Sequence, residues 1–283
     1  MKKILCPTDF SKTSSKALEF ATHIAQEIGA HLTLIHVVHL PIVDTSETAL
    51  VASELLGEQM RDANEKLKAM CRQLEENYGA NQNGNFTCDF VLKEALLTDI
   101  TEHLSKHEGY DLIVMGTTGC DNTMEEILIG SNTEAVIEEV DCPVLSVPGN
   151  AEWQGINKIV YATDFAPGDR EALAKVVELG SGFGAKIDVV HVTKETTKEE
   201  NSRGEAIWLE LQQTYPDVPM HFQEIVSKRA DEGLKEYFKR ENGSILAVLR
   251  KEKGFLKSLF SQSLAEKMTY QAEVPLLVLH SHN

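Results

Sequence analysis

Cysteine is sparse and scattered. The five cysteines of the 283-residue chain, Cys6, Cys71, Cys88, Cys120 and Cys142, include no CxxC pair. That pattern offers no zinc site and no disulfide framework, and it suits a reducing cytosol, so a cytoplasmic location is expected. No apolar run approaches the roughly 18 residues that would span a bilayer. The opening MKKILCPTDF has two lysines but neither a long apolar stretch nor a small-residue cleavage site, so no signal peptide is read there. Positive charge is also short: 27 Lys+Arg stand against 44 Asp+Glu, a net charge of −17. Residues 1–150 carry 10 basic and 24 acidic side chains, or −14, while 151–283 carry only −3. Nonspecific nucleic-acid binding and docking on anionic membranes both need a basic face, and neither is expected. A GKS or GKT phosphate loop is missing, as is a GxSxG turn, which excludes Walker-type nucleotidases and α/β serine hydrolases.

What is present is a repeat. Lys3-Ile-Leu-Cys-Pro-Thr-Asp9-Phe10 matches Lys158-Ile-Val-Tyr-Ala-Thr-Asp164-Phe165. Asp9 is followed 27 residues later by His36 in LTLIHVV, and Asp164 at the same distance by His191 in IDVVHVT. CPVLSV at 142–147 matches VPLLVL at 274–279. The length suggests roughly two domains, and the composition, 42% hydrophobic and 25% charged, lets each bury a core. The expected division is 1–150 and 151–283, with a joint near Pro148–Gly155. The segment KETTKEENSRG (194–204) reads as a solvated loop.

Within the first copy, apolar runs predict strands at 3–6, 32–38, 86–92, 112–115 and 144–147. Helical spacing predicts helices from a Ser11 cap to Ile28, at 46–78, at 97–106 and at 132–139. Gly29 suits the end of the first helix. The second copy repeats the pattern, with strands near 158–162, 187–192, 221–226, 245–249 and 276–279. Its helices are expected near 168–180, 204–214, 230–240 and 264–271. Strands alternating with helices, the strands apolar almost throughout, predict an α/β chain of two tandem open parallel sheets with right-handed crossovers.

Candidate chemistry lies in DLIVMGTTGCDNTMEEILIGSNT, residues 111–133. A strand leads into Gly116-Thr-Thr-Gly119, and Gly130-Ser131-Asn132-Thr133 opens a helix. Glycines let a backbone approach a ligand closely, and a helix start offers free N–H groups to a phosphate. Each glycine also serves a plain tight turn. In an open parallel sheet, ligands bind at the carboxyl ends of strands where the strand order reverses. With the order 3-2-1-4-5, Pro7-Thr8-Asp9 and Gly116–Gly119 share one crevice. Asp9 can accept a ribose hydroxyl pair or cap the following helix. Val37 and Val38 can flank an adenine ring or belong to the core. His36, recurring as His191, reads as a packing histidine rather than a catalytic one. Charge for the phosphates falls to backbone N–H groups, the Ser131 and Thr133 hydroxyls, and Mg²⁺, which shares its shell with phosphate and water rather than a protein cage.

At these residues the chain resembles the universal stress protein family in its tandem two-domain form. The family marker is G-x2-G-x9-G-[ST]. Here Gly116, Gly119, Gly130 and Ser131 carry it with a spacer of ten, and CPTDFS and CPVLSV are similar too. The resemblance implies a Rossmann-like, adenine nucleotide alpha hydrolase-like fold. It implies ATP (or AMP or ADP), lined by Pro7, Thr8, Asp9, Val38, Gly116, Gly119, Gly130, Ser131 and Asn132. The second copy departs from the marker. Leu249 stands near the first glycine, the second lies near Lys253–Gly254, and Ser261-Gln262-Ser263 replaces the glycine–serine turn. Nucleotide is therefore expected in the first copy only. The second would be an intramolecular pseudo-dimer partner, paired through the last strands, with a homodimer also open. Arg250, Lys251, Lys253 and Lys257 form a basic run, either a solvated loop or an anion or partner contact.

Three functions compete. The first is a nucleotide-dependent regulatory module in stress response, acting on an unidentified protein partner. The second is a slow ATPase, for which Asp121, Glu125 and Glu126 are the conceivable bases. The third is a ligand-free interaction scaffold. The first is the preferred reading, with no catalytic residue and no protein-held metal. A phosphorelay receiver is rejected because Leu92-Lys93 and Pro148-Gly149 occupy its acceptor and lysine places.

Overall fold

The computed structural model describes residues 1–38, 46–79, 86–117, 131–165, 168–194, 206, 208–250 and 274–280. They divide into two compact units, Met1–Gly116 with Gly130–Cys142, and Thr117–Ile129 with Pro143–Asn283.

The first unit contains β1 (Lys3–Pro7), α1 (Lys12–Ile28), β2 (His31–Val38) and α2 (Ser46–Tyr78). It continues with β3 (Thr87–Glu94), α3 (Leu97–His107), β4 (Leu112–Thr117) and α4 (Ser131–Glu139). β1 pairs in parallel with β2 on one side and β4 on the other, and β2 pairs in parallel with β3. Flanked on both edges, β1 buries Ile4 and Leu5 completely, as β2 buries Leu32, Leu34 and Ile35. Full burial of such side chains stabilises by roughly 1.5–3 kcal/mol each. α1 starts at Ser11, whose hydroxyl accepts from the Ser14 N–H, and stops at Gly29 with φ of 67°, a left-handed position that glycine adopts without strain. Its buried face carries Ala17, Ala21 and Ala25 with Leu18, Phe20 and Ile24, and the small residues let the helix lie close to the sheet.

The second unit contains β5 (Val144–Pro148), β6 (Lys158–Thr163), α5 (Asp169–Phe183), β7 (Lys186–Thr193) and α6, helical over 208–214. β8 (Met220–Val226), α7 (Ala230–Arg240), β9 (Ile245–Arg250) and β10 (Leu276–His280) complete it. Its strands run in the order β5-β10-β9-β6-β7-β8. Leaving out β5, which belongs to the first copy, the second copy's own strands read 3-2-1-4-5 from β8 to β10, the order expected, and the first unit supplies β3-β2-β1-β4. Among the described residues the pairings are parallel apart from that of β5 and β10, the last strands of the two copies, which lie antiparallel with Leu277 opposite Leu145. The expected fold class, two tandem and mostly parallel α/β sheets, is the one observed. The helix expected at 264–271 lies outside the described residues.

Candidate nucleotide site

The turn after β1 is built by its own side chains. Thr8 continues the ladder by donating its N–H to the Ile35 carbonyl at 2.8 Å. Its hydroxyl accepts from the Phe10 N–H at 3.1 Å and lies 3.2 Å from the Ser14 hydroxyl. Its carbonyl receives His36 Nδ1 at 2.7 Å. A carbonyl only accepts, so Nδ1 carries the ring proton. Phe10 holds φ at 64°, a conformation that disfavours side chains. It is kept there by that hydrogen bond and by its ring packing on His36 at 4.5 Å, with Lys66 Nζ on the ring 5.2 Å from its centroid. The second copy reproduces the device. Phe165 has φ of 60°, its N–H reaches Thr163 Oγ1 at 2.9 Å, and His191 Nδ1 reaches the Thr163 carbonyl at 2.9 Å. The recurring histidine thus braces the turn, which spacing alone suggested.

Asp9 is exposed, and its Oδ1 accepts from the Ser11 N–H at 3.0 Å. Partial burial pushes its carboxyl up, but hydrogen bonds from Ser11 and Ser14 outweigh that and hold it below the usual carboxylate range. It is an ionised acceptor set just beyond β1. Pro7 and Thr8 are buried beside it, and Val38, which ends β2, is buried as well.

Gly116 sits at the end of β4 between two helix starts. A Cβ there would lie 2.5 Å from the Thr13 carbonyl oxygen in the first turn of α1. On the other side, Thr133 in the first turn of α4 donates its hydroxyl to the Gly116 carbonyl at 3.1 Å. The glycine is therefore required by close backbone approach, and the Thr133 bond ties the amino end of α4 to it. Ser131 begins α4, and Asn132 is exposed in its first turn. The structure brings Pro7, Thr8, Asp9, Val38, Gly116, Ser131 and Asn132 to the carboxyl ends of neighbouring strands and the helix start joined to them. Gly119 and Gly130 lie outside the described residues, as do Asp121, Glu125 and Glu126. Ser14 and Lys66, which also shape the turn, have no signal in the sequence, apart from the serine run after Asp9 for Ser14.

The same place in the second copy is chemically different. A cavity of about 80 Å³ is lined by Asp164, Asp169, Val190, Val192, Leu234 and Leu249, among others. Leu249 occupies the strand position that Gly116 holds in the first copy. Asp169, where the first copy has Ser14, accepts from Tyr161 and Thr163 hydroxyls, both at 2.6 Å. Burial, and then the Asp169 carboxylate, push the Tyr161 hydroxyl pKa up. Among the described residues, no helix is long and apolar enough to cross a membrane.

Parallel α/β units with a glycine at the switch strand and a helix start beside it belong to the class of open-sheet α/β domains. The chain belongs to the universal stress protein family, whose model matches residues 1–148 and again 155–280. A universal stress protein of Methanocaldococcus jannaschii is 38% identical over 149 residues, covering 52% of this chain and 81% of that one. One from Bacillus subtilis is 32% identical over 148 residues, covering 51% and 97%. The crystal structure of a universal stress protein from Archaeoglobus fulgidus superposes with a TM-score of 0.71 at 18% identity, covering 98% of both chains, and so shares the fold.

Proposed function

We propose that this protein is a nucleotide-dependent regulatory module, with ATP (or AMP or ADP) held by the N-terminal domain, residues 1–150. The observation that carries the reading is Gly116, set between the first turns of α1 and α4 at the end of a strand adjoining β1. Two helix starts beside one strand end bring their positive dipole ends close to where phosphates would sit, which supports the reading. Gly116, Gly119, Gly130, Ser131 and Asn132 are assigned to the phosphates. Asp9, ionised and exposed, accepts the ribose hydroxyls. Pro7, Val38 and the apolar part of Thr8 flank the adenine, because the polar groups of Thr8 are engaged within the turn. Mg²⁺ accompanies the phosphates and offsets the acidic charge of this half.

The second domain, residues 151–283, is assigned no nucleotide. Leu249 fills the position of the glycine, and Asp169 puts a carboxylate at the start of α5, where it repels phosphate. Its role is that of an intramolecular partner, joined through β5 and β10. The regulatory reading is supported by the described groups of the site, which suit positioning a ligand. The cytoplasm is the compartment proposed, from the sparse, scattered cysteines of the sequence.

Calorimetric titration of the full chain with ATP and Mg²⁺, beside Asp9→Ala, tests this. Loss of a hydrogen bond to a charged group predicts roughly ten- to hundredfold weaker binding by the variant. Equal affinities would remove Asp9 from the site, and no binding by the unaltered chain would remove the nucleotide reading.

A further inference from the structure

Cys71 and Cys88 are seventeen residues apart in the chain, yet their sulfurs touch at 3.0 Å. Cys71 lies near the end of α2 and Cys88 on β3, and both are buried. Two further contacts fix them there. Cys71 Sγ lies 3.3 Å from the Asp89 carbonyl oxygen, and the Cys88 N–H donates to Glu75 Oε1 at 3.2 Å. A disulfide has its sulfurs about 2.05 Å apart. An approach of about 1 Å, within the reach of side-chain rotation, would therefore close one. Neither residue belongs to the nucleotide site.

We propose that Cys71 and Cys88 are an oxidation site for hydroperoxides, converted by them to an intramolecular disulfide that pins α2 to β3. One thiol loses its proton, and the thiolate attacks a peroxide oxygen. The O–O bond breaks, the departing oxygen takes the proton, and a sulfenic acid remains. The second sulfur attacks the first, the S–O bond breaks, and the hydroxide leaves with the second proton as water. Two thiols are oxidised and hydrogen peroxide is reduced to two waters. In the closed structure the pair is protected. The hydrogen bond to Cys71, followed by burial, pushes the Cys88 thiol pKa up, and a thiol that holds its proton is a poor nucleophile. Oxidation therefore proceeds when the end of α2 lifts from β3, and its rate follows that local opening. Once one sulfur is oxidised, its partner is the nearest nucleophile, and further oxidation is outrun.

The test treats the reduced full chain with hydrogen peroxide, blocks remaining thiols after denaturation, and maps the digest by mass spectrometry without reductant. The expected result is one cross-linked peptide joining Cys71 to Cys88 and a loss of two hydrogen masses, reversed by dithiothreitol. Closing a loop of this length predicts a melting temperature higher by roughly 5–10 °C. Cys71→Ala and Cys88→Ala should lose both effects, while Cys142→Ala keeps them. Should a variant fail to fold, the peptide map of the unaltered chain decides. Recovery of Cys71 and Cys88 as separate peptides, or pairing to another cysteine or chain, would overturn the proposal.

Discussion

At Gly116 the backbone leaves no room for a methyl group. Gly116→Ala would push the Thr13 carbonyl away, an overpacking that typically costs 1–3 kcal/mol. A lowered midpoint in urea unfolding is expected, and an unchanged one would mean that α1 and β4 are not so closely set. Asp188 is buried on β7 and held by Lys158 Nζ at 3.1 Å and the Tyr237 hydroxyl at 3.1 Å. Lys158→Met would strand that carboxylate, at a cost of about 3–5 kcal/mol in the same measurement. Acid should also act through single residues. Asp231, like Asp9, is held below the ordinary range: burial raises it, but Arg229 lowers it further. A depressed carboxylate contributes stability that is complete above its unfolded pKa of about 3.9 and is lost as pH falls through the lower folded value. Asp231→Asn should flatten the acid limb of a stability–pH curve below about pH 4 and leave its neutral portion parallel to that of the unaltered chain. An identical acid limb would show that the Arg229 pairing is not retained in solution.

Among the elements, the antiparallel β5–β10 ladder stands apart from the otherwise parallel pairing. Leu145 and Leu277 face one another across it and are fully buried. Either one changed to Ala should cost about 2–5 kcal/mol. Because they touch, the double variant should depart from additivity by roughly 0.5–3 kcal/mol in a double-mutant cycle of denaturant midpoints. Strict additivity would contradict the pairing. These strands were legible in the sequence because a strand buried on both faces is written as an unbroken apolar run, and α1 was legible because Ser11 and Gly29 mark its ends. The neighbours of Gly116 were not. Thr13 lies more than a hundred residues away, so the glycine's reason, close approach to another backbone, has no local signature. The Cys71–Cys88 contact was hidden in the same way, since it joins a helix to a strand with no motif spacing. The engagement of Thr8, whose N–H, hydroxyl and carbonyl are bonded within the turn and to Ile35 and His36, is visible only once the turn is folded.

Over the whole molecule, one unit is used twice and then diverges at the ligand end. The bracing turn survives in both copies, with Phe10 on His36 and Phe165 on His191. The end proposed for the phosphates does not: Gly116 becomes Leu249, and a serine at the first turn of the following helix becomes Asp169. The account therefore predicts an asymmetric chain, with one loaded copy and one vacant. The measurement that tests this most directly is the number of ATP molecules bound per chain in the presence of Mg²⁺, by calorimetry or native mass spectrometry on the full-length protein. The predicted result is one, abolished by Gly119→Val with Gly130→Val and untouched by Asp164→Ala. Two per chain, or one that Asp164→Ala removes, would contradict it.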